Sequence, residues 1–257
     1  MIYRILAVGD VVGDQGLHHL ERHLRAFKKL RGIHFTVVNG ENAAGSGVLP
    51  EQVEQLYGAG ADVVTLGNHS FGRQQILSRI EDDPYLLRPA NFTGRAPGRG
   101  YGIYDCGHIQ IGVMNLIGRC DLAFNADNPF TTADRLLKGE KALFTLVDFH
   151  AEATSEKLAM GYYLDGRVSA VWGTHTHVPT ADEQILPGGT GYISDLGMTG
   201  PIHSVLGIKC EQSIENFLGG IPGRYQTASG PCKMQGVIFE LDSTTGLCTG
   251  TERVDLR

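Results

Sequence analysis

Apolar residues run along this chain in short blocks, and polar side chains able to bind metal stand repeatedly where a block ends. Tyr3–Val8 predicts a core strand. Leu17, Leu20, Leu24, Phe27 and Leu30 follow at a spacing that predicts one apolar face of a helix. Ile33–Val38 predicts a second strand, Pro50 suits the first position of a helix running to Gly58, and Val63–Leu66 predicts a third strand. Three βα units in succession imply a mostly parallel sheet with crossover helices.

The texture then changes. Gly102–Cys106 and Ile109–Leu116, either side of Gly107-His108, predict a hairpin. Asp121–Asp134 has no clear period and reads as a mobile stretch. A strand at Ala142–Phe149, a helix over about Thr154–Tyr163 and a strand at Val168–Trp172 come next. Gly236–Leu241 and Leu247–Val254 form a last strand pair around a Ser-Thr-Thr-Gly turn. A parallel first half and a hairpin-like second half predict two packed sheets flanked by helices, in one α/β sandwich domain over residues 1–257.

Composition narrows the setting. With 257 residues and 42% hydrophobic content the chain can bury a substantial core. A net charge of -6 leaves no basic footprint for an extended nucleic-acid surface, although a nucleotide whose phosphate meets metal remains compatible. The five cysteines are widely spaced without a C-x-x-C pair, which fits free thiols in a reducing cytoplasm. The N-terminal apolar run is too short for a signal peptide, and no stretch approaches the ~20 apolar residues of a membrane span.

The ends of the predicted strands carry the chemistry. Val8-Gly9-Asp10, Asn39-Gly40-Glu41-Asn42, Leu66-Gly67-Asn68-His69, Val147-Asp148-Phe149-His150 and Gly173-Thr174-His175-Thr176-His177 would place carboxylate, amide and imidazole groups at one rim of a sheet. Ligands collect at the carboxyl ends of strands in open α/β sheets. His175-Thr176-His177, on extended backbone, would point both imidazoles to one side, where they could serve two neighbouring metals. Glu41 can bridge, because each carboxylate oxygen can bind one metal. Mixed oxygen and nitrogen ligands without thiolate suit a pair of divalent cations, and such a pair suits the cleavage of phosphate esters.

Taken together, these motifs resemble the calcineurin-type metallophosphoesterase superfamily, and within it the bacterial YmdB-like branch, proteins similar to a 2′,3′-cyclic-nucleotide phosphodiesterase. Asn39–Ala44, Val147–Glu152 and Ser194-Asp195-Leu196-Gly197-Met198-Thr199-Gly200-Pro201 extend the resemblance over nearly the whole chain. It implies a four-layer αββα sandwich of two mixed sheets. It also implies that Asp10, Glu41, Asn42 and His177 hold a first metal, that Glu41, Asn68, His150 and His175 hold a second, and that His69 is the general acid. The implied reaction is attack of a metal-bridging hydroxide on a nucleotide phosphodiester. Iron or manganese is favoured and zinc is compatible; relatives suggest a homo-oligomer. Two departures stand out: Val11 and Val12 follow Asp10 where the superfamily has D-x-H, with Asn42 taking the place of the missing histidine, and Ser70 follows His69 where an acid is usual.

Other residues read more plainly. His18, His19 and His23 fall on a surface helix, while His34 and His108 suit structural places. Trp172 suits the core, and Glu152 and Thr154 suit the opening of a helix. Asp148 would share a side of its strand with His150, as a partner behind the metals or a buried cap. His203, Arg73 and Arg119 are weaker candidates for contact with substrate. A phosphomonoesterase or nucleotidase with the same metal core, or a regulatory protein that binds metal or nucleotide, would share most of these features. An amidohydrolase also uses H-x-H, but there the motif normally follows the first strand.

Overall fold

The computed structural model describes every residue except 123, 124, 140, 141 and 222. The first third alternates strand and helix: β1 (Ile2–Val8), β2 (Asp10–Val11), α1 (Gly13–Arg31), β3 (Phe35–Asn39), α2 (Pro50–Ala59) and β4 (Val63–Thr65). A 3-10 turn leads into α3 (Leu77–Ile80) and β5 (Leu86–Leu87). The middle contains β6 (Tyr101–Cys106), β7 (Ile109–Ile117), α4 (Pro129–Leu137), β8 (Phe144–His150), α5 (Thr154–Leu164) and β9 (Ala170–Thr174). The remainder adds β10 (Gln184–Ile185), β11 (Gly191–Ile193), β12 (Met198–Pro201), α6 (Cys210–Phe217), β13 (Cys232–Asp242) and β14 (Cys248–Leu256).

Among the described residues the strands form two sheets. The larger runs β2-β12-β13-β1-β3-β4-β5, with β14 on β13, and the smaller runs β10-β11-β9-β8-β7-β6. The division into a parallel first half and a hairpin-like second half needs correction. The C-terminal hairpin β13–β14 adds antiparallel to β1 in the larger sheet. In the smaller sheet β7, β8, β9 and β11 are mutually parallel, with antiparallel strands only at its edges. A C-terminal hairpin and an N-terminal βαβ series share one sheet here, a partnership that local patterning does not encode.

Three apolar layers explain why the sheets stack with helices outside. Tyr3, Ile5 and Ala7 of β1 pack with Val37, Phe144, Leu146 and Trp172 between the sheets. Leu6 and Val8, on the other face of β1, pack with Leu17, Leu20, Leu24 and Phe27 of α1 and with Val53 and Leu56 of α2. Val147 and Phe149 of β8 face away from the larger sheet onto Met160 and Leu164 of α5. Alternate residues of one strand therefore serve different layers, which is why these strands are apolar nearly throughout. The architecture is a four-layer αββα sandwich of two mixed sheets.

Two local readings differ. Leu30 is 81% exposed; at 3.6 residues per turn it lies about 100° off the stripe formed by Leu17, Leu20, Leu24 and Phe27. Within the stretch read as mobile, Asn128 caps α4 by accepting the amides of Phe130 and Thr131, and Pro129 opens the helix. An Asn-Pro pair is a helix-start signal that was available in the chain; residues 123 and 124 of that stretch lie outside the described residues.

Trp172 is the only tryptophan, and its ring stacks on Phe239 across the two sheets at 5.9 Å. Phe239→Ala is expected to lower unfolding free energy by about 3–5 kcal/mol, with the Trp172 emission shifting to longer wavelength. Equilibrium urea unfolding followed by tryptophan fluorescence checks both.

Candidate metal centre

The carboxyl ends of both sheets meet at one seam. From the larger sheet come Asp10, which opens β2, Glu41 and Asn42 just beyond β3, and Asn68 and His69 just beyond β4. From the smaller come His150, the last residue of β8, and His175 and His177 just beyond β9. All eight predicted site residues are brought together. Asp10, Glu41 and His150 have no exposed surface, whereas the His69 side chain is 39% exposed at the mouth.

Glu41 lies at the centre. Its Oε1 stands 3.2 Å from His150 Nε2, 3.3 Å from Asn42 Nδ2 and 3.4 Å from His69 Nδ1, and its Oε2 accepts the His69 amide at 3.1 Å. To one side His150 Nε2 stands 2.9 Å from Asn68 Oδ1 and 3.1 Å from His175 Nδ1. To the other, His177 Nε2 stands 3.0 Å from Asn42 Nδ2 and 3.9 Å from Asp10 Oδ1. Glu41, His150 and His175 alone offer three ligand atoms within 4.8 Å of one another.

The H-x-H segment is not extended. His175 and His177 take positive φ values of 102° and 63°, so their rings converge through a turn and not through strand alternation. Three hydrogen bonds hold that turn: Asp10 Oδ2 accepts the His175 amide at 3.2 Å, Asp195 Oδ2 accepts the Thr176 amide at 3.2 Å, and Leu206 O faces His177 Nδ1 at 3.0 Å.

Each histidine has an acceptor on its outer nitrogen. Thr174 Oγ1 gives its own proton to Asp148 at 2.7 Å, so it accepts from His150 Nδ1 at 2.9 Å. Glu152 Oε2 stands 3.2 Å from His175 Nε2, and the Leu206 carbonyl can only accept from His177. These bonds hold a proton on the outer nitrogen of each ring and turn the other nitrogen inward, where it offers a lone pair whenever the ring is neutral. Glu152, read as a helix opener, is instead a partner of His175 ahead of α5. Asp148 lies behind the cluster, where Thr65 and Thr174 donate to it. Sequence reasoning missed the Leu206 carbonyl, which reaches the site by tertiary folding alone. Arg73 bonds the Ala44 carbonyl and the Arg119 amide meets Glu156, so neither arginine is placed on the cluster by these bonds; His203 is exposed.

The donor set fits divalent cations on its own terms. Asp10 Oδ1 is buried without a hydrogen-bond partner, which leaves an acceptor that a cation would satisfy. A side chain at Gly67 would collide with Glu41 Oε2 and the His150 ring, so glycine there keeps the cradle open. Protons occupy the same positions in the absence of a cation. Burial pushes the Asp10 carboxyl up to about 6. Burial also opposes charge on His150, yet Glu41 beside it raises the imidazole to about 9. Glu41 is held well below the usual carboxylate range despite burial, because His150 and His69 surround it. His175 falls to about 3 through burial and the charge on His150, and is a neutral ring at working pH.

The family of YmdB-like proteins matches residues 6–254 of the chain. A 2′,3′-cyclic-nucleotide 2′-phosphodiesterase of Bacillus subtilis (strain 168) is 44% identical over 254 residues, covering 98% of this chain and 96% of the relative. A crystal structure of a novel phosphatase from Mycoplasma pneumoniae superimposes with a TM-score of 0.94 at 33% identity, covering 100% of this chain and 94% of that one. A Haemophilus influenzae NAD nucleotidase shares the fold alone, with a TM-score of 0.61 at 12% identity over 100% of this chain and 56% of that one.

Cation binding must displace the protons on Asp10 and His150. Affinity for Mn²⁺ is therefore expected to rise as pH passes through about 6 and on towards about 9, with proton release on binding at pH 7. Calorimetry in buffers of different ionisation enthalpy measures both; a pH-independent affinity would contradict the assignment. Both folded values lie above the ordinary 3.8 and 6.5. The stability they contribute to the cation-free protein is thus complete below those ordinary values and lost as pH rises through about 6 and about 9. The chelator-treated protein should melt lower at pH 9 than at pH 6.

Proposed function

The chain belongs to the YmdB-like protein family, and from that premise we propose that it is a metal-dependent phosphodiesterase acting on 2′,3′-cyclic nucleotides. The observation that carries this reading is the convergence of six candidate ligand side chains from both sheets around one buried carboxylate, Glu41. In this reading Asp10, Asn42 and His177 hold one cation, Asn68, His150 and His175 hold the other, and Glu41 holds both. Iron or manganese suits this thiolate-free set, and zinc is compatible. When bound, such a pair supplies an acidified water to attack phosphorus and positive charge for the non-bridging phosphate oxygens.

The chain's own residues supply the rest. In the cation-free site Asn42 Oδ1 at 3.1 Å and Glu41 Oε1 at 3.4 Å engage His69 Nδ1. With the Asn42 amide turned to offer its oxygen beside His177, Glu41 would keep that nitrogen, which leaves Nε2 to face a substrate at the mouth. His69 then acts as the general acid and passes its Nε2 proton to the departing sugar oxygen. Glu41 thereby does the orienting that an acidic residue after the histidine does elsewhere in the superfamily. The name of the Bacillus subtilis relative points to cleavage of the bond to the 2′ oxygen, which would leave a nucleoside 3′-phosphate. Seven ligands leave coordination positions for water and phosphate on two cations, which favours catalysis over a closed structural site. Residues 1–257 act as one domain, since a single apolar layer joins the two sheets. Free cysteines favour a cytoplasmic setting, and no helix among the described residues is long and apolar enough to cross a membrane.

Hydrolysis of 2′,3′-cyclic AMP by the Mn²⁺-loaded protein is expected to exceed that of a generic phosphomonoester; the opposite ranking would favour a phosphomonoesterase. His69→Ala should lower kcat by about 10²–10⁴-fold with both cations retained, and a variant as fast as the parent removes the acid assignment. Glu41→Gln should reduce the content of both cations together, measured by elemental analysis. Two tightly held cations in that variant would exclude bridging.

A further inference from the structure

A buried ion pair lies outside the cluster, and its hydrogen bonds lead back to it. Lys157 of α5 and Asp195, beyond β11, meet at 2.7 Å with side-chain exposures of 2% each. Withdrawing two charges from water is costly, and an apolar pair of similar volume often serves stability as well or better. What distinguishes this pair is the use of its remaining acceptor capacity. Asp195 Oδ2 accepts the Thr176 amide at 3.2 Å and Oδ1 accepts the Gly197 amide at 2.9 Å.

Both amides sit at the site's supports. Thr176 is the middle residue of the H-x-H turn, between His175 and His177 with their positive φ values. Side chains larger than glycine adopt that backbone region only where surrounding structure enforces it. Gly197 precedes Met198, which pairs with Asp10 in the sheet. Lys157 reaches Asp195 beneath the end of β9, where a side chain on Gly173 would meet both its stem and the Ser194 carbonyl. One carboxylate thus fastens the turn carrying two imidazoles and the segment paired with Asp10, and one lysine fixes that carboxylate.

We propose that Lys157 and Asp195 form a positioning clamp: Asp195 holds the Thr176 amide and so keeps the His175–His177 turn converged for cations, while Lys157 holds Asp195. The proposal rests on the reading of His175 and His177 as cation ligands. Neither residue touches the cluster's inner nitrogens, so their effect is on the geometry of the ligands.

Two double variants separate the clamp from general stability. K157M/D195N removes both charges and keeps an acceptor oxygen at position 195; K157M/D195L removes the acceptor as well. With cooperative melting verified for each, Mn²⁺ affinity is read by calorimetry, apart from turnover. The expected result is a loss of about 10–100-fold in K157M/D195L, with a smaller loss in K157M/D195N, whose single side-chain oxygen can still accept one of the two amides. Parental affinity in K157M/D195L, or equal weakening of both variants, overturns the clamp. Should K157M/D195L not fold, amide exchange at Thr176 in the parent decides. Slow exchange with and without Mn²⁺ is expected, and exchange at the rate of an unprotected amide overturns the proposal. A parent that binds Mn²⁺ but hydrolyses no phosphodiester ends the proposed function and leaves the clamp standing. A freely exchanging amide ends the clamp and leaves the function standing.

Discussion

Glu41 carries a carboxylate with no contact with solvent, and the surrounding chain is organised around the consequences. An isolated buried charge is severely disfavoured and must be paired, protonated or bound to a metal. Here imidazoles and amides approach it from both sheets: His150 at 3.2 Å from one, Asn42 and His69 from the other. Its backbone is held as well, since the Glu41 amide donates to Asn39 Oδ1 at 3.1 Å. Asn39 in turn donates to Asp148 at 3.3 Å beneath the site. The floor under Glu41 is therefore polar and satisfied.

The division of labour between the sheets follows. Both carboxylates of the cluster, Asp10 and Glu41, come from the larger sheet, and His150, His175 and His177 come from the smaller. The approaches of His150 to Glu41 and of His177 to Asp10 therefore cross the seam, while His69 meets Glu41 from within the larger sheet and His175 meets Glu152 from within the smaller. Like charges from one sheet are separated by opposite or neutral groups from the other. In the protonated, cation-free site the two sheets attract at this rim, and cations would bridge the same atoms across it. The parallel strands make this possible because β1, β3 and β4 deliver their ends in one direction, as do β8 and β9.

Much of this could be read from residues because the signals are local. A strand buried on both faces must be apolar, and a turn that ends it with Gly-Asp, Gly-Glu-Asn or Gly-Asn-His announces both a tight backbone and a ligand. That logic found the strands bearing Asp10, Glu41, Asn68, His150 and His175, and the structure brings those side chains together. It failed where partners are distant or the backbone departs from type. β13 joins β1 across more than half the chain, and nothing in either segment names the other. β10, β11 and β12 are two to four residues long, too short for a period to emerge. The left-handed turn at His175 and His177 is unreadable from Gly-Thr-His-Thr-His, because its cause lies in acceptors on Asp10, Asp195 and Leu206.

That last failure explains how a turn of non-glycine residues in a rarely populated conformation comes to carry two converging imidazoles. On extended backbone two imidazoles separated by one residue would stand side by side on one face and reach in the same direction. The cluster needs something else, because His175 presents Nδ1 towards His150 while His177 presents Nε2 towards Asn42 and Asp10. Opposite nitrogens aimed at different neighbours from adjacent positions require the chain to turn between them. Glycine at either position would relieve the backbone and remove the imidazole. The conformation is instead imposed from outside, by bonds to the His175 amide, the Thr176 amide and the His177 ring. Those acceptors come from β2, from the loop after β11 and from the loop after β12, so the shape of the short turn at His175–His177 depends on the completion of both sheets.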